Sequence, residues 1–132
     1  MSVDIVLIDD NDIHLETTSL LLQNNNYTVK CISDSTQAVS LMTEIKPELV
    51  ILDIMMPGLD GFTLLKSIKE NIVLKDIPVI ILSGKPFIPE QRKALALGAE
   101  MYLTKPIRSQ LLLEKVEPYL QAANDNIKVL GS

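Results

Sequence analysis

Short apolar runs recur five times along the chain, and each gives way to a polar residue. Val3–Ile8 ends at Asp9, and Tyr27–Ile32 ends at Ser33. The run that begins at Glu48 ends at Asp53, with Pro57 and Gly58 close behind to stop the strand. Pro78–Ser83 is apolar up to its last residue, and Met101–Thr104 is closed by Lys105-Pro106. Such runs, β-branched and bounded by turn formers, predict strands buried on both faces. Tyr27–Ile32 alternates more, which predicts a strand nearer an edge. Between them the apolar residues take helical spacing. A first helix is predicted over 12–25, capped by Asn11 or Asp12. Ile13, Thr17, Leu20, Leu21 and Asn24 share one of its faces, and Leu15 and Leu22 share a neighbouring one. A second helix, capped by Asp34 or Ser35, runs to about Lys46 and turns Ala38, Leu41, Met42 and Ile45 inward, with Pro47 as its stop. A third, capped by Asp60, covers 61–70 with Phe62, Leu65 and Ile68 inward. A fourth runs from about Pro89 to Leu97 and ends at Gly98. A fifth spans about 108–121, with Leu112, Val116 and Tyr119 or Leu120 inward and Pro118 shortening its last turn.

Strict alternation of strand and helix predicts an α/β fold: a parallel sheet with helices on both faces and right-handed crossovers. The expected arrangement is a flavodoxin-like (βα)5 domain with a five-stranded parallel sheet in the order 2-1-3-4-5. It should occupy residues 1–121, leaving 122–132 as a polar, flexible C-terminal tail. Ligands of such sheets bind beyond the carboxyl ends of the strands, where the strand order switches.

Composition agrees with this layout. Hydrophobic residues make up 47% of the 132 and aromatic residues only 4%, so aliphatic side chains must fill the core. The net charge of −5 argues against a nucleic-acid surface. The single cysteine, Cys31, cannot form an internal disulfide and lies in an apolar strand pattern, which predicts a packed thiol. There is no Cys/His cluster with zinc spacing. Residues 1–8 lack the features of a signal peptide, and no apolar run approaches the ~20 residues of a membrane span. A cytoplasmic protein without a membrane contact is the expectation.

The residues that end the strands carry the chemistry. A charge inside a buried strand is costly, but at the strand's end it can face water, a metal or a substrate. In the order 2-1-3-4-5, Asp9-Asp10, Asp53, Ser83 and Lys105 arrive at one edge. Strand two ends in Ser33-Asp34 on the far side of strand one. Three carboxylates in one cleft repel one another, and a hard divalent cation relieves this. Mg²⁺ prefers oxygen ligands and is held by one or two carboxylates plus phosphate oxygens. Lys105 adds a mobile positive charge suited to a phosphoryl oxygen, and Ser83 adds a hydroxyl donor. Together these groups suit phosphoryl transfer to Asp53 as nucleophile, giving an acyl phosphate. Taken singly, Asp9-Asp10 could cap the first helix, Ser83 could be an ordinary strand-end hydroxyl, and Lys105 a solvated lysine. Their convergence favours a site. Met55 and Met56 read as filler beside it, and His14, the only histidine, reads as a surface or rim residue.

Over residues 3–121 the chain resembles the receiver domain of two-component response regulators, of the single-domain, chemotaxis type. The resemblance rests on Asp9-Asp10, on the stretch from Asp53 through Pro57-Gly58 to Gly61, on Ser83-Gly84, and on the stretch from Gly98 through Lys105-Pro106 to Ile107. It implies a phosphorylation-dependent signalling switch rather than an enzyme. Asp53 would be the phosphoacceptor. Asp10 would bind Mg²⁺ directly, Asp9 directly or through water, and the backbone carbonyl of Met55 would be a further metal ligand. Lys105 would contact the phosphoryl group, and so would the backbone of Gly84, a residue that must stay small. Ser83 would hydrogen-bond the group and move toward it on activation, and Tyr102 would be the aromatic switch that turns inward with it. The Lys105–Pro106 peptide would be cis. The implied partners are a histidine kinase or histidine phosphotransfer protein as donor, and a downstream protein target.

The loop Lys85-Pro86-Phe87-Ile88-Pro89 departs from the small polar residues common there. Its prolines should stiffen a segment that rearranges in the family. Lys85, two residues beyond Ser83, is placed to screen the phosphoryl group from water or to draw in an anionic donor. Met101 stands where one DNA-binding subfamily has an acidic residue, which argues against that subfamily's dimer. Two other functions compete with a stand-alone switch. One is a receiver belonging to a longer response regulator or hybrid kinase. The other is a phosphohydrolase with an aspartyl intermediate. Haloacid-dehalogenase-like hydrolases need a second aspartate two residues after the nucleophile, where this chain has Met55, and little substrate pocket is expected here.

Overall fold

The computed structural model describes residues 3–54 and 61–120. Five strands, β1 (Ile5–Ile8), β2 (Val29–Ile32), β3 (Leu49–Leu52), β4 (Val79–Ser83) and β5 (Met101–Thr104), form one parallel sheet in the order β2-β1-β3-β4-β5. Helices α1 (Asp12–Asn24), α2 (Ala38–Ile45), α3 (Gly61–Glu70), α4 (Ile88–Ala96) and α5 (Ser109–Val116) connect or follow them. The predicted fold class and strand order are those observed.

Successive strand residues point to opposite faces, so each strand feeds two cores. Val6, Ile8, Val50, Leu52, Val79 and Ile81 pack with Ala38 and Met42 of α2, Leu64, Leu65 and Ile68 of α3 and Ala94 of α4. Ile5, Leu7, Leu49, Ile51, Ile80 and Leu82 pack with Leu15 and Leu22 of α1 and Leu112 and Val116 of α5. Helices α1 and α5 therefore cover one face, and α2, α3 and α4 the other. All four residues of β1 and of β3 are buried, as the unbroken apolar runs require.

The packing settles one open choice, corrects one expectation and refines another. Helix α1 offers two neighbouring stripes, and the one from Ile13 to Asn24 is not the buried one. The helix buries Leu15, Ser19 and Leu22, while Ile13 is 73% exposed and Leu20 50% exposed. The two stripes are similarly apolar, and the fit of Leu15 and Leu22 on the β1 and β3 side chains chooses between them. Cys31 is exposed rather than packed, because β2 is the edge strand and only Ile32 of its residues is buried. On α3, Leu64 is buried alongside the predicted Leu65 and Ile68, and Phe62 packs half-buried against the same core, with the Lys93 ammonium 4.3 Å from its ring centre.

Helix ends follow local chemistry. Asp34 caps a 3₁₀ turn, Ser35–Gln37, that leads into α2. Pro118 lies in a second 3₁₀ turn, Glu117–Leu120, that replaces the last turn predicted for α5. Gly98 adopts φ +111°, a conformation that side chains disfavour. Gly61 is needed for space: a Cβ there would fall on the backbone of Ile54, one residue beyond Asp53. The predicted Asp60 cap, the stop at Pro57-Gly58 and the tail 122–132 lie outside the described residues. Among the described residues no helix is long and apolar enough to cross a membrane.

Candidate phosphoacceptor and metal site

The sheet ladder places the site. Asp53 N–H donates to Ile8 C=O at 2.9 Å, Asp9 N–H to Ile32 C=O at 3.2 Å, and Lys105 N–H to Ser83 C=O at 2.8 Å. Each residue is the first past its strand and is still held by a neighbouring strand. Its side chain leaves the sheet at the carboxyl edge with little backbone freedom. The Lys105–Pro106 peptide is cis, as expected.

Asp9-Asp10 does not cap α1. Asn11 does, accepting from Ile13 N–H at 3.0 Å and His14 N–H at 3.1 Å. The acidic pair is thereby left for the cleft. Asp9 is buried, and its Oδ1 accepts from Asn11 N–H at 2.9 Å. Asp53 is likewise buried, while Asp10 is exposed. Carboxylate oxygens of Asp9, Asp10 and Asp53 lie within 4.8 Å of one another. Lys105 reaches across from β5, its Nζ 2.8 Å from Asp9 Oδ2 and 3.3 Å from Asp53 Oδ2. One ammonium against three carboxylates leaves the cleft net negative. A hard cation with oxygen preference fits this donor set.

His14 is exposed, as a rim residue should be, and from there it reaches the site. Its Nδ1 lies 3.1 Å from Lys105 Nζ and 3.6 Å from Asp9 Oδ2. The only signal for it in the sequence is its place one turn into a helix that starts at the cleft.

Ser83 and Tyr102 are joined through one residue. Ser83 is fully buried, and its Oγ accepts from Lys85 N–H at 3.3 Å. The carbonyl of Lys85 accepts from the Tyr102 hydroxyl at 2.7 Å. Gln91 further ties the loop by donating to Pro86 C=O at 3.1 Å. These bonds tie the loop to the Tyr102 side chain of β5 and to Gln91 of α4. Gly84 is exposed, and a Cβ there would meet nothing within 4 Å. The predicted carbonyl ligand at Met55 lies outside the described residues.

A cavity of about 680 Å³ opens over the site, lined by Asp53, Lys105, His14, Lys85, Gly84 and Ile107 among others. This corrects the expectation of little room beside Asp53. Its lining comes from α1, the ends of β3 and β4, the loop after β4 and the segment after β5.

Residues 5–117 match the family described as the response regulator receiver domain. The chain is 30% identical over 116 residues to the response regulator PleD of Caulobacter vibrioides, covering 88% of this chain and 26% of that protein. It is 31% identical over 121 residues to the response regulator MprA of Mycobacterium ulcerans, covering 92% of this chain and 51% of that protein. The chain thus spans about a quarter and about half of these relatives. Among solved structures, the signal receiver domain of a DNA-binding response regulator from Colwellia psychrerythraea superposes with a TM-score of 0.84 at 28% identity, over 91% of this chain and 99% of that one. With five strands in the order 2-1-3-4-5, three clustered aspartates at their carboxyl edge and a family match over nearly the whole fold, the chain belongs to the response regulator receiver domains, which are phosphoacceptor signalling domains.

Proposed function

We propose that Asp53 accepts a phosphoryl group from a phosphohistidine on a histidine kinase or histidine phosphotransfer protein. The observation that carries this reading is the buried Asp53 carboxylate within reach of both the acidic pair and the Lys105 ammonium. An Asp53 oxygen attacks phosphorus, the phosphorus–nitrogen bond breaks, and its electron pair leaves with the donor imidazole. The product is an acyl phosphate on Asp53. Lys105 turns an N–H from Asp53 to a phosphoryl oxygen, and the Ser83 hydroxyl and the Gly84 backbone contact the same group. Asp9, Asp10, Asp53 and the backbone carbonyl of Met55 would hold Mg²⁺, which supplies charge neutralisation at the transferring oxygens. The domain speeds its own phosphorylation and dephosphorylation but turns over no separate substrate, so it is not an enzyme.

Because Ser83 and Tyr102 share Lys85, a shift of the Ser83 hydroxyl toward the phosphoryl group pulls on the β4–α4 loop and on the tyrosine. That is the route to an altered binding surface for a downstream protein. The site lies in a domain of 1–121, in the cytoplasm. A second reading, a receiver within a longer protein, is favoured by the greater length of PleD and MprA, and the length of the open reading frame decides it. Exposure to a small acyl phosphate and Mg²⁺, followed by intact-mass measurement, tests the main reading. The mass of one phosphoryl group should appear, and should be absent in Asp53→Asn. No adduct, even with cognate kinases, would overturn it.

A further inference from the structure

An ammonium carries three N–H bonds and no lone pair. All three N–H bonds of Lys105 are matched: Asp9 Oδ2 lies at 2.8 Å, His14 Nδ1 at 3.1 Å and Asp53 Oδ2 at 3.3 Å. In this arrangement the ring nitrogen that faces Lys105 is placed to accept its third N–H. The opposite arrangement would aim Nδ1–H at Asp9 Oδ2, 3.6 Å away, and set that N–H against an ammonium at closer range.

The other two acceptors are both carboxylates with competing partners. A cation in the acidic cluster draws on the oxygens of Asp9 and Asp53, and phosphorylation takes an Asp53 oxygen into the new bond. His14 Nδ1 is not one of the clustered carboxylate oxygens that would face a cation. It comes from α1 and lines the same cavity as Asp53 and Lys105.

We propose that His14 is a positioning residue, and that its Nδ1, 3.1 Å from Lys105 Nζ, keeps the ammonium over the phosphoacceptor when Asp9 and Asp53 turn to other partners. This rests on the phosphoacceptor reading above. With one N–H anchored on His14, Lys105 keeps its remaining N–H bonds directed at the phosphoryl oxygens. Without that anchor, its long flexible chain must be ordered during transfer.

Two substitutions separate the hydrogen bond from the bulk of the side chain. His14→Phe keeps a ring and removes the acceptor. His14→Asn places an oxygen on Cγ, where the imidazole carries Nδ1. With acetyl phosphate as donor, His14→Phe should lower the rate of Asp53 phosphorylation about tenfold, and His14→Asn should stay within about threefold of the wild type. In a Lys105→Met background, His14→Phe should have no further effect. A readout that needs no phosphodonor is the ¹⁵N resonance of the Lys105 ammonium with Mg²⁺ added, when Asp9 and Asp53 are drawn to the cation. Its protection from exchange should be lost in His14→Phe and kept in His14→Asn. An unchanged rate in His14→Phe, a rate loss that persists without Lys105, or an ammonium signal indifferent to His14→Phe would each overturn the proposal. A wild type that takes up no phosphoryl group overturns the phosphoacceptor reading and this role with it. An adduct formed equally fast by His14→Phe overturns the His14 role alone.

Discussion

The ammonium of Lys105 sits 2.8 Å from the carboxylate of Asp9, an ion pair between residues 96 positions apart. It is closer than the pair with Asp53 at 3.3 Å. The two carboxylates therefore respond differently to neutralisation. Asp9→Asn removes the shorter, more buried pair and should lower metal-free stability by about 1.5–3 kcal/mol. Asp53→Asn leaves Lys105 its bonds to Asp9 and His14 and removes one of three crowded like charges. Its melting temperature without metal should be unchanged or raised. A clear fall in Asp53→Asn would refute the crowded cleft.

Gly61 lies so close to the backbone of Ile54, one residue beyond Asp53, that a Cβ would collide with it. In Gly61→Ala the new methyl group must push the start of α3 away from Ile54. The expected loss is about 1–3 kcal/mol, read from the midpoint of urea unfolding. Ile54 follows Asp53 directly, so Mg²⁺ affinity should fall as well. A variant with wild-type stability and metal affinity would show that α3 does not depend on this contact.

Tyr102→Phe deletes only the hydroxyl that donates to Lys85 C=O. It should cost about 0.5–1.5 kcal/mol and loosen the loop that carries Lys85. Hydrogen exchange at Lys85 N–H, which bonds Ser83 Oγ, reports this directly. Faster exchange there, with the strand amides of β4 unchanged, is the expected result.

Glu48 supplies a pH dependence at the opposite edge of the sheet. Burial, and then the nearby charge of Asp4, push its carboxyl above its ordinary value of 4.5. The folded state thus holds this proton more tightly than the unfolded chain. The stability that follows is fully present below pH 4.5 and is lost as pH rises through the folded value. Glu48→Gln should therefore stabilise the protein at neutral pH, and the gain should fade as the pH is lowered toward 4.5. Equal differences at both ends of that window would show that Glu48 titrates alike in both states.

The local rules were strong enough to read the strands, the parallel order and the convergence of Asp9, Asp10, Asp53 and Lys105 before any coordinates. A buried strand tolerates a charge only at its end, so the residue that stops each apolar run already marks the functional edge. The helix stops at Pro47 and Gly98 and the shortened end at Pro118 followed equally from backbone chemistry.

What the chain order could not decide was the choice among near-equivalent alternatives. Helix α1 carries two overlapping apolar stripes, and only docking on β1 and β3 buries Leu15 and Leu22 while exposing Ile13. Cys31 has a strand pattern, and only its place on an edge strand exposes it. The cavity beside Asp53 and the acceptor role of His14 depend on how α1 stands over a lysine 91 residues away. Hydrophobic periodicity and strand ends are properties of neighbours in the chain, so the sequence by itself determined the sheet and its acidic edge. Which face of a helix is buried, and which nitrogen meets which ammonium, depend on packing between distant segments, and only the tertiary structure decided them.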